Sequence, residues 1–204
     1  MIITPCSTAM NKPLSLQHIP FSQQDHPACL PLDMPYLCGV DGLVQHDNKL
    51  YFHFQKYAWD LACPENNPTT GEHKRRVIRR LEQGTLDISS AKFLPGRYLL
   101  GISPFIQSYY HFHADLLPFL LHAPDWTVLI PETLPVTYIA FLQRCGFRLQ
   151  TLSSDIYQVE QLLIPMLTNP DWNPEKIRDI QNFFNHEFPQ QETPLRKIYI
   201  SRKL

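Results

Sequence analysis

Glycine is scarce in this chain: seven residues in 204, against nineteen prolines. Few glycines leave few sites for left-handed turns, and many prolines impose extended, loop-rich connections. No run approaches the roughly 18 apolar residues of a membrane-spanning helix. The opening MIITPCSTAMNKPLSL has no charged segment followed by an apolar one, so a secretory leader is not expected. Charge of either sign is not in excess. Eighteen basic against nineteen acidic residues give a net charge of −1, so no global field points to nucleic acid or an anionic membrane. The five cysteines (Cys6, Cys29, Cys38, Cys63, Cys145) are odd in number and irregularly spaced. No C-x-x-C is present, which argues against a zinc ribbon or redox pair and for reduced thiols in a cytoplasmic protein.

What is present is a globular composition, 44% hydrophobic and 12% aromatic. That is enough for one ample core, or for one domain with an appendage. Residues 1 to about 36 are rich in Pro, Ser and Gln and read as an extended arm. YLCGVDGLVQHDNKLYFHF holds two β-type runs joined around Asp47-Asn48, a hairpin signal. Residues 60–72 are turn formers and predict an exposed loop. In HKRRVIRRLEQG, His73 to Gly84, Val77, Ile78 and Leu81 share one helical face. Its Lys74, Arg75, Arg76, Arg79 and Arg80 suit either a solvated face or a peripheral contact with phosphate or anionic lipid.

From Arg97 onward strands and helices alternate. RYLLGI predicts a strand, Tyr109 to His122 a helix and WTVLIP a buried strand. PVTYIAFLQRCGF predicts a helix with Gly146 at its left-handed end. FRLQTL and IYQVEQLLIP are strand candidates. NPEKIRDIQNFFNHEF predicts a helix with Asn173 as cap and Pro174 in the first helical position. KIYISR predicts a final strand. This alternation calls for α/β architecture: a Rossmann-like three-layer sandwich with a parallel sheet and crossover helices. The expected divisions are 1–88 (arm, hairpin and basic helix), 89–190 (the Rossmann-like unit) and 191–204 (a linker and one further strand).

The chemistry concentrates in YYHFHADLLP, Tyr109 to Pro118. Read as H-x-H-x-D, His111, His113 and Asp115 match a metallo-hydrolase spacing. The further histidine such sites use is replaced by Leu116, and ligands two apart on a helix point about 200° apart. No bound metal is therefore expected. A helix instead brings His111 and Asp115 to one face, four residues apart. A carboxylate beside an imidazole orients it and raises its basicity, which suits a general base. The same pair also suits a histidine held at the edge of a core. His113 is expected to be structural. Pro118 should kink the helix or end its first part. Ser201-Arg202 follows an apolar strand, where arginine can make bidentate contacts to a diphosphate.

Taken in order, these segments resemble glycosyltransferase family 61, which includes bacterial capsular polysaccharide biosynthesis proteins and plant xylan-decorating enzymes. The family motif, close to N-x-Y-H-x-x-x-D-x-L-P, is matched from Ser108 to Pro118, with Ser108 in place of Asn. Gly146-Phe147, the Leu162 to Pro165 segment and Ile200-Ser201-Arg202 follow in the family's order. The resemblance runs from about Arg97 to the end and implies the first half of a GT-B type fold. It implies an inverting transferase taking a nucleotide sugar to a glycan hydroxyl, without a further cofactor. His111 and Asp115 would lie at the interdomain cleft, one as base, and Ser201 and Arg202 would begin the donor-binding half. Most of that half has no counterpart in this sequence, so the expectation is a truncated chain inactive alone. A non-catalytic glycan-binding module and a metal-dependent hydrolase are the alternatives.

Overall fold

The computed structural model describes residues 15–18, 28–52, 75–77, 79–80, 86–102, 106, 112–166 and 174–187, with residues 15–18, 28, 52, 114, 115, 166 and 174–177 described by their backbone. Nine strands form one sheet. They are β1 (Ser15–His18), β2 (Ala28–Asp33), β3 (Tyr36–Cys38), β4 (Val44–His46), β5 (Lys49–Phe52), β6 (Lys92–Leu100), β7 (Thr127–Pro131), β8 (Leu149–Leu152) and β9 (Ile156–Met166). The helices are α1 (Leu117–His122), α2 (Val136–Arg144) and α3 (Pro174–Glu187). Residues 75–77 and 79–80 are also helical.

The sheet order is β1-β5-β4-β3-β9-β6-β7-β8, with β2 also paired to β9. β9, β6, β7 and β8 are mutually parallel, which the alternation of strands and helices predicts for β6, β7 and β8. The sheet as a whole is mixed, which corrects the expectation of a parallel sheet. β2 and β3 both run antiparallel to β9, and β4 and β5 continue as a hairpin. The reason lies in the supposed arm. Its residues 28–33 form a strand along β9 and 15–18 pair with β5, so hydrogen bonding continues across the 88/89 division. The Asp47-Asn48 turn is as expected, both residues having left-handed φ of 47° and 59°. That pairing of φ values is the type I′ geometry that two-residue hairpins favour.

Only residues 153–155 connect β8 to β9, although three pairings separate the two strands. In a flat parallel sheet the link would cross about 14 Å sideways and also return along β8. Four Cα steps reach about 14 Å at most. The sheet therefore folds over, so that the start of β9 meets the end of β8. The fold line crosses three neighbouring strands at one level. Met34, with φ of 56°, separates β2 from β3. The register of β6 slips between Leu94 and Arg97, around Pro95 and a Gly96 of φ 116°. The Met34 amide donates to the Glu160 carbonyl (3.0 Å), the Val159 amide to the Pro35 carbonyl (2.9 Å) and the Gly96 amide to the Glu160 carboxylate (2.6 Å). A proline inside β6 is tolerated because it sits at this bulge.

Folding places a core between the two halves. Leu100, Leu129, Leu152, Leu162 and Ile164 share one apolar cluster with Leu37, Val44, Tyr51 and Tyr157. Strand alternation sends the intervening Leu99, Val128 and Ile130 to the opposite face, where α1, α2 and α3 pack. On the outer side of the antiparallel half, Cys38, Leu43, Leu50 and Ile156 pack with Val77 of the basic segment. The layer expected to be helical on one side of the parallel strands is thus supplied by the sheet itself.

Gly39 lies where the folded edges meet. Its amide donates to the Asp155 carbonyl at 3.0 Å, and a Cβ there would run into the Ser153 carbonyl oxygen and the Tyr157 ring. Gly146 has φ of 81° and open space around it. Gly39→Ala should cost about 1–3 kcal/mol by overpacking. It should also lower the urea midpoint more than Gly146→Ala, whose cost is the left-handed backbone alone, about 1–2 kcal/mol. Equal midpoints would count against the close approach at the seam.

Candidate functional site

The H-x-H-x-D segment follows the carboxyl end of β6, where open α/β units place their ligand loops. Leu99 and Leu100 are buried, and the Gly101 amide donates to the Leu129 carbonyl at 2.9 Å. A Cβ at Gly101 would stand 2.8 Å from that oxygen and from Val128 Cγ1. The strand end is therefore clamped tightly to β7. Ile102 and Ile106 are buried beyond it. A π turn then covers Phe112–Leu116 and passes directly into α1, with Pro118 in its first turn. The expected helix from Tyr109 to His122 is thus divided near Pro118, as a proline inside a helical pattern predicts.

Aromatic side chains pack around the turn. Phe112 is fully buried and stacks on Tyr138 of α2, with centroids 4.3 Å apart and planes at 16°. The His113 ring meets Phe112 at 4.9 Å, Phe141 at 5.7 Å and Phe184 of α3 at 6.1 Å. Such packing by carbon-rich rings is the structural setting expected for His113. α1 is tied to α3 by His122 Nε2 and Asp179 Oδ2, 3.4 Å apart and exposed. Asp115 has its backbone in the π turn. His111, Lys74, Ser201, Arg202 and the 60–72 loop lie outside the described residues, so the pairing of His111 with Asp115 does too. Among the described residues, no three His, Cys, Asp or Glu side chains converge to hold a metal.

Two polar clusters have no counterpart among the sequence expectations. In the first, Asp41 is a buried charged residue whose side chain is fully enclosed. Arg76 Nε donates to its Oδ1 at 3.0 Å and Arg80 Nε to its Oδ2 at 2.7 Å. The Cys38 thiol donates to Oδ2 at 3.4 Å. Arginines four apart share a helical face, and here that face turns inward. The basic run is therefore not uniformly a solvated or membrane-facing surface. Arg76 and Arg80 are committed to Asp41, while Arg75 and Arg79 are exposed. A legible signal was the i, i+4 arginine spacing combined with an aspartate between glycines in an apolar stretch.

The second cluster ties the β8–β9 link. Ser153 Oγ donates to Asp155 Oδ2 at 2.6 Å and lies 2.8 Å from the Tyr157 hydroxyl. That hydroxyl also accepts from the Ser153 amide at 3.2 Å. Lys92, at the start of β6, pairs with Asp155. The hydrogen bond from Lys92, then that from Ser153, holds the Asp155 carboxyl below its ordinary value, and the Lys92 ammonium is held above its own.

Burial, and secondarily the charge of Asp41, pushes the Cys38 thiol up to about 12 from its ordinary 9.0. Burial alone raises Cys29 to about 11. Neither thiol has the thiolate character of a nucleophile at neutral pH. The folded thiols keep their protons where the unfolded ones lose them. Stability should therefore be full below about pH 9 and fall as pH rises toward 12. Urea midpoints measured across that range should decline less steeply for Cys38→Ala than for the native chain.

Asp41→Ala should destabilise by about 3 kcal/mol. This is the lower end for breaking a buried pair, because the two guanidinium groups keep solvent contact. Chemical denaturation checks it, and a change under 1 kcal/mol would mean that Asp41 does not anchor the basic segment. Comparison with protein-family models, with curated proteins and with solved structures finds no match for this chain.

Proposed function

We propose that this chain forms the acceptor-side part of an inverting glycosyltransferase. The observation that supports the reading best is the position of the H-x-x-x-D segment. Its described part, residues 112–116, follows β6 in the chain and enters α1 through a π turn, beside a parallel four-stranded unit. Ligands of open α/β units gather beyond the carboxyl ends of the strands, and π turns recur at functional sites. Its motif order is that of the glycosyltransferases it resembles, and the four parallel strands with α1 and α2 as crossovers are compatible with a GT-B half. The mixed, folded sheet beyond β9 is an addition to that pattern.

In this reading one member of the His111 and Asp115 pair takes the proton of an acceptor hydroxyl. The oxygen forms a bond to the anomeric carbon of the donor sugar. The bond from that carbon to the diphosphate oxygen breaks, and the configuration inverts. Ser201 and Arg202 contribute to holding the departing diphosphate, Arg202 by charge-assisted hydrogen bonds.

Nucleotide release from UDP-, GDP- and CMP-sugars in the presence of glycan acceptors tests this, with the chain alone and with a GT-B donor-binding domain supplied. His111→Ala and Asp115→Ala should lower turnover by about 100-fold or more, the usual contribution of a general base. His113→Ala should lower it far less. Glycan binding with no nucleotide release under either condition would identify a binding module instead. Hydrolysis abolished by a chelator would identify a metal enzyme.

A further inference from the structure

We propose that Pro118 is a positioning residue: it excludes an α-helical turn before itself and so holds residues 112–116 in the π turn that sets where His113 and Asp115 stand. The part played by Asp115 rests on the glycosyltransferase reading, whereas the turn does not.

Local propensity does not explain the π turn. Phe112–Leu116 contains no glycine, and alanine and leucine are strong α-helix formers. The proline just downstream does explain it. Pro118 is the second residue of α1 and is buried. Proline lacks an N–H, and its ring collides with the carbonyl four residues back if an α-helix continues upstream. Here that carbonyl belongs to Ala114. A π turn bonds residue i to i+5 and holds one residue more than an α turn. The extra residue moves the Ala114 carbonyl off the proline ring.

The shift has a defined consequence. One residue of an α-helix corresponds to about 100° of rotation. If the segment returned to α geometry, every residue before Leu117 would turn by about that angle relative to α1. Phe112 would leave its stack on Tyr138, and His113 would leave the rings of Phe141 and Phe184. The aromatic contacts from α2 and α3 therefore fit the π register and not the α register. Asp115, two residues before α1, would be carried round with them.

The test compares Pro118→Ala, deletion of Ala114, and the two combined, each in the full chain. Pro118→Ala should remain folded, and NMR should show α-type bonding from 112 through 122 with the Phe112 ring no longer stacked on Tyr138. Deleting Ala114 removes the extra residue while keeping the proline, so its melting temperature should fall. Adding Pro118→Ala to the deletion should restore much of that loss. In the transfer assay with a donor-binding domain supplied, Pro118→Ala should reduce kcat by about 100-fold, the scale of a misplacement near 1 Å, with acceptor KM changed less. A π turn that persists in Pro118→Ala, a deletion equally stable with and without the proline, or an altered register with kcat unchanged would each overturn the proposal. If the native chain transfers no sugar even with a GT-B donor-binding domain supplied, the deletion pair still decides what Pro118 does. The absence of transfer then counts against the glycosyltransferase reading alone.

Discussion

Three residues between two parallel strands constrain most of this structure. The 153–155 link is too short to return to the start of a flat neighbouring strand, so the end of β8 and the start of β9 must meet. The sheet bends across β2/β3, β6 and β9 to allow it. Each strand uses a different local device: a left-handed Met34, a bulge at Pro95-Gly96, and Glu160, which serves both neighbours. The Ser153, Asp155, Tyr157 and Lys92 cluster then closes the seam. Because β9 pairs with strands from both halves, its eleven residues carry the bend to the whole sheet.

The bend divides the apolar residues of each central strand between two environments. One set fills the space between the halves, and the other receives α1, α2 and α3. The antiparallel half is left with an outer face of its own, and the basic segment covers part of it through Val77. Asp41 fixes that cover. A carboxylate removed from water is costly unless paired, and two guanidinium groups with a thiol supply the pairing. The arrangement ties the segment down at two points, since arginines four apart reach one carboxylate oxygen each.

Beyond the carboxyl end of β6, residues 112–116 are held from three directions. Gly101 clamps the exit of β6 against β7, Pro118 fixes the junction with α1, and aromatic rings from α2 and α3 enclose Phe112 and His113. The result is a backbone turn of unusual width on a rigid support, which suits a site whose side chains must be placed precisely.

The sequence by itself determined the elements whose signals are local. The period of WTVLIP and PVTYIAFLQRCGF, the left-handed Gly146, the Asp47-Asn48 turn, the Pro174 start of α3 and the break at Pro118 are all consequences of backbone sterics within a few residues. Parallel pairing of β6 with β7 and of β7 with β8 was legible from the helices between them, whereas that of β9 was not, since three residues link it to β8. In the candidate segment the break at Pro118 and the packing of His113 were legible, while Tyr109 to His111 lie outside the described residues. The segment's π register was not legible, since a proline inside a helical pattern marks a break without specifying the width of the turn before it. Only the tertiary structure decided that residues 28–33 pair with β9, that the sheet folds, and that Arg76 and Arg80 face a buried Asp41. Those contacts join residues 35 to more than 120 positions apart. No periodicity encodes such a partner; the balance of burial, reach and charge across the whole chain selects it.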